Sequence, residues 1–438
     1  MKIYPISLGC AKNKVDSEVL LGNLINNPKV SLTNKMDNAD LIFINTCAFI
    51  ESAKTEAINT IFEVLDQKKP RQKVMVCGCL STRYQNEISE LIPEVDRFVA
   101  ISEYPKLKEI VNSMFTNHPF TNQVDPLNRV ITSMKESVYV KISEGCNNRC
   151  SYCAIPLIRG RFVSRNKDEV INEVNKLVNE GAKEINLISQ DTTNYGFGLY
   201  DNYGIVELLG DLCQIPGDFK IRLLYLYPEL VTDKLIDFIA NNDKVMPYFD
   251  IPLQHSEDKM LKLMNRRGNK EFITKLLEKI RARIPEAILR TTMIVGFPGE
   301  TEEDFDNLLN FIKEQKFDRL GAFSYSPEEG TKGYEMDNQI EEAIKECDVI
   351  MLLRVQFERH SEKMSMTVEE YHEKYGLTEE RMLKMKDNAI IMHPAPINRG
   401  VEIADSVAEC EKSRIYIQMP NGVYTRMAVI SMVLDGKL

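Results

Sequence analysis

The chain has 438 residues, 43% of them hydrophobic and 27% charged, which fits a globular protein of about two or three domains. Its net charge of -10 argues against broad nonspecific binding to DNA, although a local basic patch is compatible with it. No apolar run is long enough to span a membrane, and the opening Met1-Lys2-Ile3-Tyr4-Pro5 lacks the apolar core of a signal peptide. Ten cysteines in such a chain read as metal ligands or free thiols of a cytoplasmic protein rather than as disulfides.

Ile3–Leu8 is expected as a strand, followed by Gly9-Cys10 and a helix from about Asp16. Leu41–Asn45 reads as a second strand ending in Thr46-Cys47. Glu51–Leu65 has helical apolar spacing, and Val74–Val76 reads as a third strand leading into Cys77-Gly78-Cys79. Strand–helix alternation implies a parallel sheet, whose ligands sit at the carboxyl ends of the strands. Cys10, Cys47 and Cys79 each fall just past such an end, so they can converge although far apart in sequence. They are either ligands of a cluster or three buried structural cysteines, a role a free Cys fills well. Cys77 still belongs to its strand and is left out. Polar residues with two prolines make Asn117–Asn128 a linker and close a first domain at about residue 130.

The second domain, residues 131–345, carries strand-like runs at Val138–Ile142, Glu184–Ile188, Ile221–Tyr225, Tyr248–Ile251, Ala287–Val295 and Leu320–Tyr325. Helical patterns such as Lys167–Glu180 and Thr301–Lys313 lie between them. Six β/α units are too few for a closed eightfold barrel. After the first of these strands comes Cys146-Asn147-Asn148-Arg149-Cys150-Ser151-Tyr152-Cys153, a CxxxCxxC run. Three thiolates on one short loop can hold three corners of a [4Fe–4S] cube and leave the fourth iron open. A zinc site usually takes four ligands in paired CxxC groups, and no fourth Cys or His lies nearby.

The CxxxCxxC loop, with Tyr152 before its last cysteine, resembles that of the radical SAM enzymes. The resemblance implies an open six-unit barrel and S-adenosylmethionine chelated at the open iron. "LGCAKNKVDSE", "NTCAFIESAKTEAI" and "CGCLSTRY" resemble the N-terminal domain of the methylthiotransferases. In that family the cysteines matching Cys10, Cys47 and Cys79 hold an auxiliary [4Fe–4S] cluster, so two clusters are implied here. Lys12-Asn13 after the cysteine, with "RLLYLYP" and "GAFSYSPEEGT", favours the branch that acts on a ribosomal small-subunit protein. The tRNA branch more often has Gln-Met-Asn after its cysteine. The implied reaction adds a methylthio group to the β-carbon of an aspartate in small-subunit protein twelve. It also needs an electron donor, flavodoxin-like or ferredoxin-like, and a sulfur donor the sequence does not identify. The same reaction on a tRNA adenosine is the alternative.

Further site residues stay open at this point. Gln190 and Asp191 end a strand and either hydrogen-bond the cofactor or cap the strand. Gly296 either lets the backbone approach the adenine or makes a bare turn. Arg290 and Arg159 are candidates for the cofactor carboxylate or a carboxylate substrate, or form ordinary ion pairs. His255 either lines the cavity or is a hydrogen-bonded structural histidine.

Methylthiotransferases usually end in a small basic β-barrel, the TRAM domain, and that pattern is absent. From about Cys347, "CDVIMLLRVQFERH", "EEYHEKYGLTEERMLKMKDNAIIMHPAPINRGVEI" and "SRIYIQMPNGVYTRMAVISMVL" resemble the C-terminal portion of aspartate carbamoyltransferase. Arg354 and Gln356 match that family's aspartate-contacting pair, and His393–Pro396 its late active-site loop. Its carbamoyl phosphate elements are missing. Residues 346–438 are therefore expected as an α/β fragment without activity, joined between about Ala343 and Cys347. Its closing apolar residues Ile415, Met419, Val423, Met427 and Ile430 are expected to lack their usual partner.

Overall fold

The computed structural model describes residues 1–115, 120, 124–132, 134–336, 347–352, 367–393 and 397–418, without the side chains of residues 370 and 374. The chain forms two compact units, Met1–Glu335 and Met336–Leu438.

The first unit is built on two parallel sheets. The N-terminal one has strands β1 (Lys2–Ser7), β2 (Ser31–Leu32), β3 (Leu41–Thr46), β4 (Lys73–Gly78) and β5 (Arg97–Val99), in the order β2-β1-β3-β4-β5. The central strand β3, Leu-Ile-Phe-Ile-Asn-Thr, is buried at every residue, as a parallel strand covered on both faces must be. Ser7 pairs with Asn45 and Thr46 with Gly78, so the three strands end at one edge. The turns carrying Cys10, Cys47 and Cys79 leave from that edge. Helix α1, Ala11–Ile25, starts at Ala11 rather than near Asp16. Its first turns bury Lys12, Asn13, Asp16, Ser17 and Glu18, a polar face that a search for an apolar stripe cannot see. The two short strands β2 and β5 also go unseen in the hydrophobic pattern.

The second sheet begins with β6 (Ser137–Lys141). A small antiparallel pair follows, β7 (Ser143–Glu144) and β8 (Val163–Ser164), and brackets the CxxxCxxC loop. Strands β9 (Glu184–Ile188), β10 (Lys220–Leu223), β11 (Val245–Asp250), β12 (Ile288–Val295) and β13 (Arg319–Ser324) then add in sequence, each parallel to the last. Among the described residues β6 and β13 do not pair, so the sheet is an open six-unit one, as expected. Helices such as Lys167–Asn179, Lys270–Arg283 and Glu302–Gln315 follow the strands, started by side-chain caps from Asn166, Asn269 and Thr301. Along β12, Leu289, Thr291 and Met293 are buried, while Arg290, Thr292 and Ile294 are half-buried on the inner face. The expected strand Ile221–Tyr225 stops at Leu223. Tyr225 instead takes φ +62° and donates its N–H to Asp250 Oδ2 at 3.0 Å.

A buried ionic cluster joins the two sheets. Arg129 donates from Nε and Nη2 to Glu18 Oε2 of α1 at 2.9 and 2.6 Å, and from Nη1 to Glu173 Oε1 at 2.8 Å and the Tyr139 carbonyl at 2.6 Å. All three charged side chains are at most 5% exposed.

The second unit is a small α/β fold. Strand β14 (Val349–Met351) pairs in parallel with β15 (Ile390–Met392) beside a core that includes Leu377, Ile391, Ile403 and Val407. Ile415, which without its usual partner had to find another or remain exposed, is buried in that core, because the fragment packs its chain back on itself. Arg354, Gln356, Pro394–Pro396, Met419, Val423, Met427, Ile430 and the join before Cys347 lie outside the described residues.

Replacing Arg129 by Ala leaves the buried Glu18 carboxylate without an ion partner, while Glu173 keeps Arg165. The expected loss is about 3–5 kcal/mol of unfolding free energy, measured by urea denaturation. A loss under about 1 kcal/mol would mean the cluster does not tie the sheets together.

Candidate active site

The CxxxCxxC loop is held by backbone contacts only certain residues permit. Gly145 has φ +73°, and a Cβ there would lie 2.2 Å from the Arg161 carbonyl oxygen. Cys153 donates its N–H to the Cys150 carbonyl at 3.0 Å, and Ser151 donates to the Met264 carbonyl at 2.9 Å. Asn265 Nδ2 donates to the Arg149 carbonyl at 2.8 Å, so the loop is tied to the segment after strand β11.

Polar groups surround the three thiols. Cys146 Sγ accepts from the N–H of Asn148 at 3.5 Å and from its Nδ2 at 3.4 Å. That amide also donates to Asp191 Oδ2 at 2.9 Å. Arg266 Nη1 stands 3.9 Å from Cys150 Sγ, while its other amino group donates to the Pro252 carbonyl and its plane lies over the Tyr227 ring. Burial pushes the Cys146 and Cys153 thiols up, so a bound cation is needed to hold both as thiolates. No three His, Cys, Asp or Glu side chains among the described residues converge on a single-ion site. A cube differs, because each thiolate serves a separate iron and the sulfurs stand wider apart.

The residues expected to hold the cofactor are distributed as follows. Gln190 donates Nε2 to Glu144 Oε1 at 2.9 Å, and its own Oε1 is buried without a partner. Asp191 is 2% exposed and accepts from Asn148 and Thr193. Gly296 has φ +75° with open space where a Cβ would stand. Arg290 sits apart from this loop, on the inner face with Asp250, 3.1 Å away. His255 is fully buried; its Nδ1 accepts from the Glu257 N–H at 3.0 Å and its Nε2 donates to Glu300 Oε1 at 3.1 Å. Both ring nitrogens are spent on the fold, so His255 is structural.

The N-terminal thiols gather where β1, β3 and β4 end. Cys10 is the N-cap of α1, and Gly9 before it has φ +85°, with space for a Cβ closed by Cys47 Cβ at 2.7 Å. Cys79 follows Gly78, whose φ is +102°. Cys47 and Cys79 share a hydrogen bond that lowers the Cys79 thiol to about 6, helped by the Arg159 cation, and raises Cys47. Arg159 Nη2 lies 3.7 Å from Cys79 Sγ.

Arg159 is therefore not a free carboxylate receptor. Its side chain is 1% exposed, and Nη1 donates to Asp16 Oδ2 at 3.0 Å and to both Glu144 oxygens at 2.9 and 3.0 Å. Nη2 also reaches Asn13 Oδ1. Burial would raise the Glu144 carboxyl, but Lys141 and Arg159 outweigh it and hold it down to about 2. Spacing alone does not single out Lys12, Asn13, Asp16, Glu144, Asn148 or Arg266. For all but Arg266 the signal was their place inside or beside the cysteine motifs; Arg266 lies in the segment after β11.

The open parallel sheet with a thiolate loop after its first strand defines a radical SAM enzyme. Residues 140–312 match the Radical SAM superfamily, and residues 2–100 match Uncharacterized protein family UPF0004. Residues 313–433 match Aspartate/ornithine carbamoyltransferase, Asp/Orn binding domain. The chain is 46% identical over 365 residues to the ribosomal protein uS12 methylthiotransferase RimO of Alkaliphilus oremlandii (strain OhILAs), covering 82% of this chain and 83% of that one. It is 43% identical over 382 residues to the RimO of Clostridioides difficile (strain 630), covering 84% and 86%. The fold is that of the radical S-adenosylmethionine methyltransferase TsrM from Kitasatospora setae, with a TM-score of 0.57, 14% identity, and 76% and 77% of the two chains covered. It is also that of the cobalamin-dependent S-adenosylmethionine radical enzyme OxsB, with a TM-score of 0.53, 11% identity, and 78% and 55% covered. The chain belongs to the RimO family of radical SAM methylthiotransferases. The carbamoyltransferase match opens before Cys347, yet β13 within it pairs with β12 along its whole length and so belongs to the radical SAM sheet.

Replacing Gly145 by Ala forces a Cβ onto backbone at a left-handed residue, a strain of about 1–3 kcal/mol. After anaerobic reconstitution, the iron held by the CxxxCxxC loop is expected to fall while that of the N-terminal thiols persists. Iron and sulfide analysis in a background lacking Cys10, Cys47 and Cys79 reads this directly, and unchanged iron there would refute it.

Proposed function

We propose that the chain adds a methylthio group to the β-carbon of an aspartate in ribosomal protein uS12. The observation that carries this reading is the pair of thiol sets at strand ends of two parallel sheets in one compact unit, in a chain whose relatives are named for that activity. In this assignment residues 1–130 are the auxiliary-cluster domain, residues 131–345 the radical SAM domain, and residues 346–438 a carbamoyltransferase-like fragment without a catalytic part.

Cys146, Cys150 and Cys153 would hold one [4Fe–4S] cluster, and Cys10, Cys47 and Cys79 a second. Gln190, Asp191 and the open backbone at Gly296 would receive S-adenosylmethionine; the unpaired Oε1 of Gln190 is an acceptor waiting for a donor. Bound there, the cluster and S-adenosylmethionine supply one-electron cleavage and radical hydrogen abstraction, chemistry that belongs to the cofactor. The chain's own side chains set its surroundings. Asn148 fixes Cys146 against Asp191, and Arg266 offsets the negative charge of the thiolate loop. Arg159 does the same at Cys79 while anchoring to Asp16 and Glu144. The electron donor is a flavodoxin-like or ferredoxin-like protein, and the site of action is the cytoplasm. Among the described residues no helix is long and apolar enough to cross a membrane.

Anaerobic reconstitution is expected to give about eight irons per chain, two cubes of four. Changing Cys146, Cys150 and Cys153 together to Ala should remove half of them. Changing Cys10, Cys47 and Cys79 together to Ala should preserve cleavage to 5′-deoxyadenosine under strong reductant and abolish methylthiolation. Mass spectrometry of ribosomal protein and of tRNA nucleosides from cells with and without the gene decides the substrate. A methylthio mark that appears only on tRNA would refute the ribosomal assignment.

A further inference from the structure

Lys12 is a buried cation that makes no ion pair among the described residues. Its residue is 7% exposed, and its Nζ lies 3.1 Å from the centroid of the Tyr225 ring. Among the described residues that ring is its one close partner, and no carboxylate lies within ion-pair distance. A cation over an aromatic face gains some stabilisation, but its three N–H donors still lack acceptors. Tyr225 is held for this contact in a left-handed conformation, φ +62°, by the bond from its N–H to Asp250. A strained non-glycine residue that presents a ring to an unpaired lysine is a costly arrangement for packing alone.

Arg290 stands on the next strand. Asp250 and Arg290 are register partners, and one guanidinium nitrogen is 3.1 Å from Asp250 Oδ1. The Arg290 side chain is 40% exposed, so the rest of its fork is open to the inner face of the sheet. The charged groups around Lys12 are Cys10, Arg159, Asp250 and Glu144. Those around Arg290 are Asp250 and Tyr225. Glu144 is already taken by Lys141 and Arg159, and Arg159 by Glu144 and Asp16. Two cations, Lys12 and Arg290, then face one free carboxylate, Asp250, with the Cys10 thiol beside Lys12. The unfilled N–H donors of Lys12 and the open part of the Arg290 fork fit one more carboxylate.

We propose that Lys12 and Arg290 form the receptor for the side-chain carboxylate of the acidic residue that the enzyme modifies. The inference rests on the protein-substrate reading above and names the part of the chain that reads the target residue. A polynucleotide would call for a row of cations, not a pair beside an acid, in a chain of net charge -10. The carboxylate of S-adenosylmethionine is the other source of the same chemistry. The groups touching the Cys146–Cys153 loop are Asn148, Asp191 and Arg266, and neither Lys12 nor Arg290 is among them.

The test uses the reconstituted full chain with a peptide carrying the target aspartate and its asparagine counterpart. Lys12→Met removes the charge at similar length, and Arg290→Gln removes the fork. Either is expected to lower kcat/KM for the aspartate peptide by about 100-fold and to collapse the preference for aspartate over asparagine. Lys12→Arg should recover part of the loss. Iron content and substrate-free cleavage of S-adenosylmethionine are read on the same samples. A variant with full iron that keeps the aspartate preference overturns the proposal. So does a raised KM for S-adenosylmethionine with the preference intact, which would give the carboxylate to the cofactor. If Lys12→Met loses iron from the neighbouring Cys10 set, Arg290→Gln decides alone, because its partner is Asp250. A wild-type chain that modifies tRNA and not the peptide refutes the function itself, a result distinct from an active wild type with indifferent variants.

Discussion

The guanidinium of Arg159 is the interaction on which the arrangement of the first unit depends. It arises from the helix that follows the cysteine loop and ends among residues of α1 and beside Cys79. A buried cation is expensive unless surrounded by acceptors. Asp16 and Asn13 of α1 and both oxygens of Glu144 in β7 provide them. The ion can be satisfied only when both sheets are in place. Neither sheet could bury its share of these charges alone, so the two thiol regions are fixed relative to each other by electrostatics as much as by apolar packing.

The two thiol sets sit in different fields as a result. In the N-terminal set the hydrogen bond with Cys47, helped by Arg159, shifts Cys79 down, while Cys47 is shifted up. The CxxxCxxC loop has Arg266 near Cys150, yet Cys146 and Cys153 are shifted up by burial. A thiolate near a fixed cation is ready to bind metal, whereas a desolvated thiol must lose its proton as metal arrives. The two sets of three thiols are thus given different environments.

The parallel sheets were legible because their strands are apolar runs with a clear period. Glu184–Ile188 was read to the residue, and Leu41–Asn45 fell one residue short. The gathering of Cys10, Cys47 and Cys79 at one sheet edge was legible because each stands just past such a run. What the pattern could not show was polar burial. Helix α1 starts before Asp16 because Lys12 and Asn13 are inside, and Arg159 reads like any surface arginine until Asp16 and Glu144 are seen around it. Tyr225 was placed in a strand because tyrosine favours one, while Asp250 turns its backbone the other way. These departures from local preference cluster beside the cysteines, where local rules most often yield to function.

The second unit shows the same separation of fold from function in another form. Its parallel strands and small core close on themselves, and Ile415 finds cover inside the unit. A core of that kind depends chiefly on apolar spacing. A binding site depends on more, because its donors must be supplied from several segments at once. The first unit retains that property: Arg159 draws acceptors from α1 and from β7, segments that adjoin Cys10 and Cys146. Where the ionic partners and the thiols share segments, the fold cannot form correctly without also assembling the site.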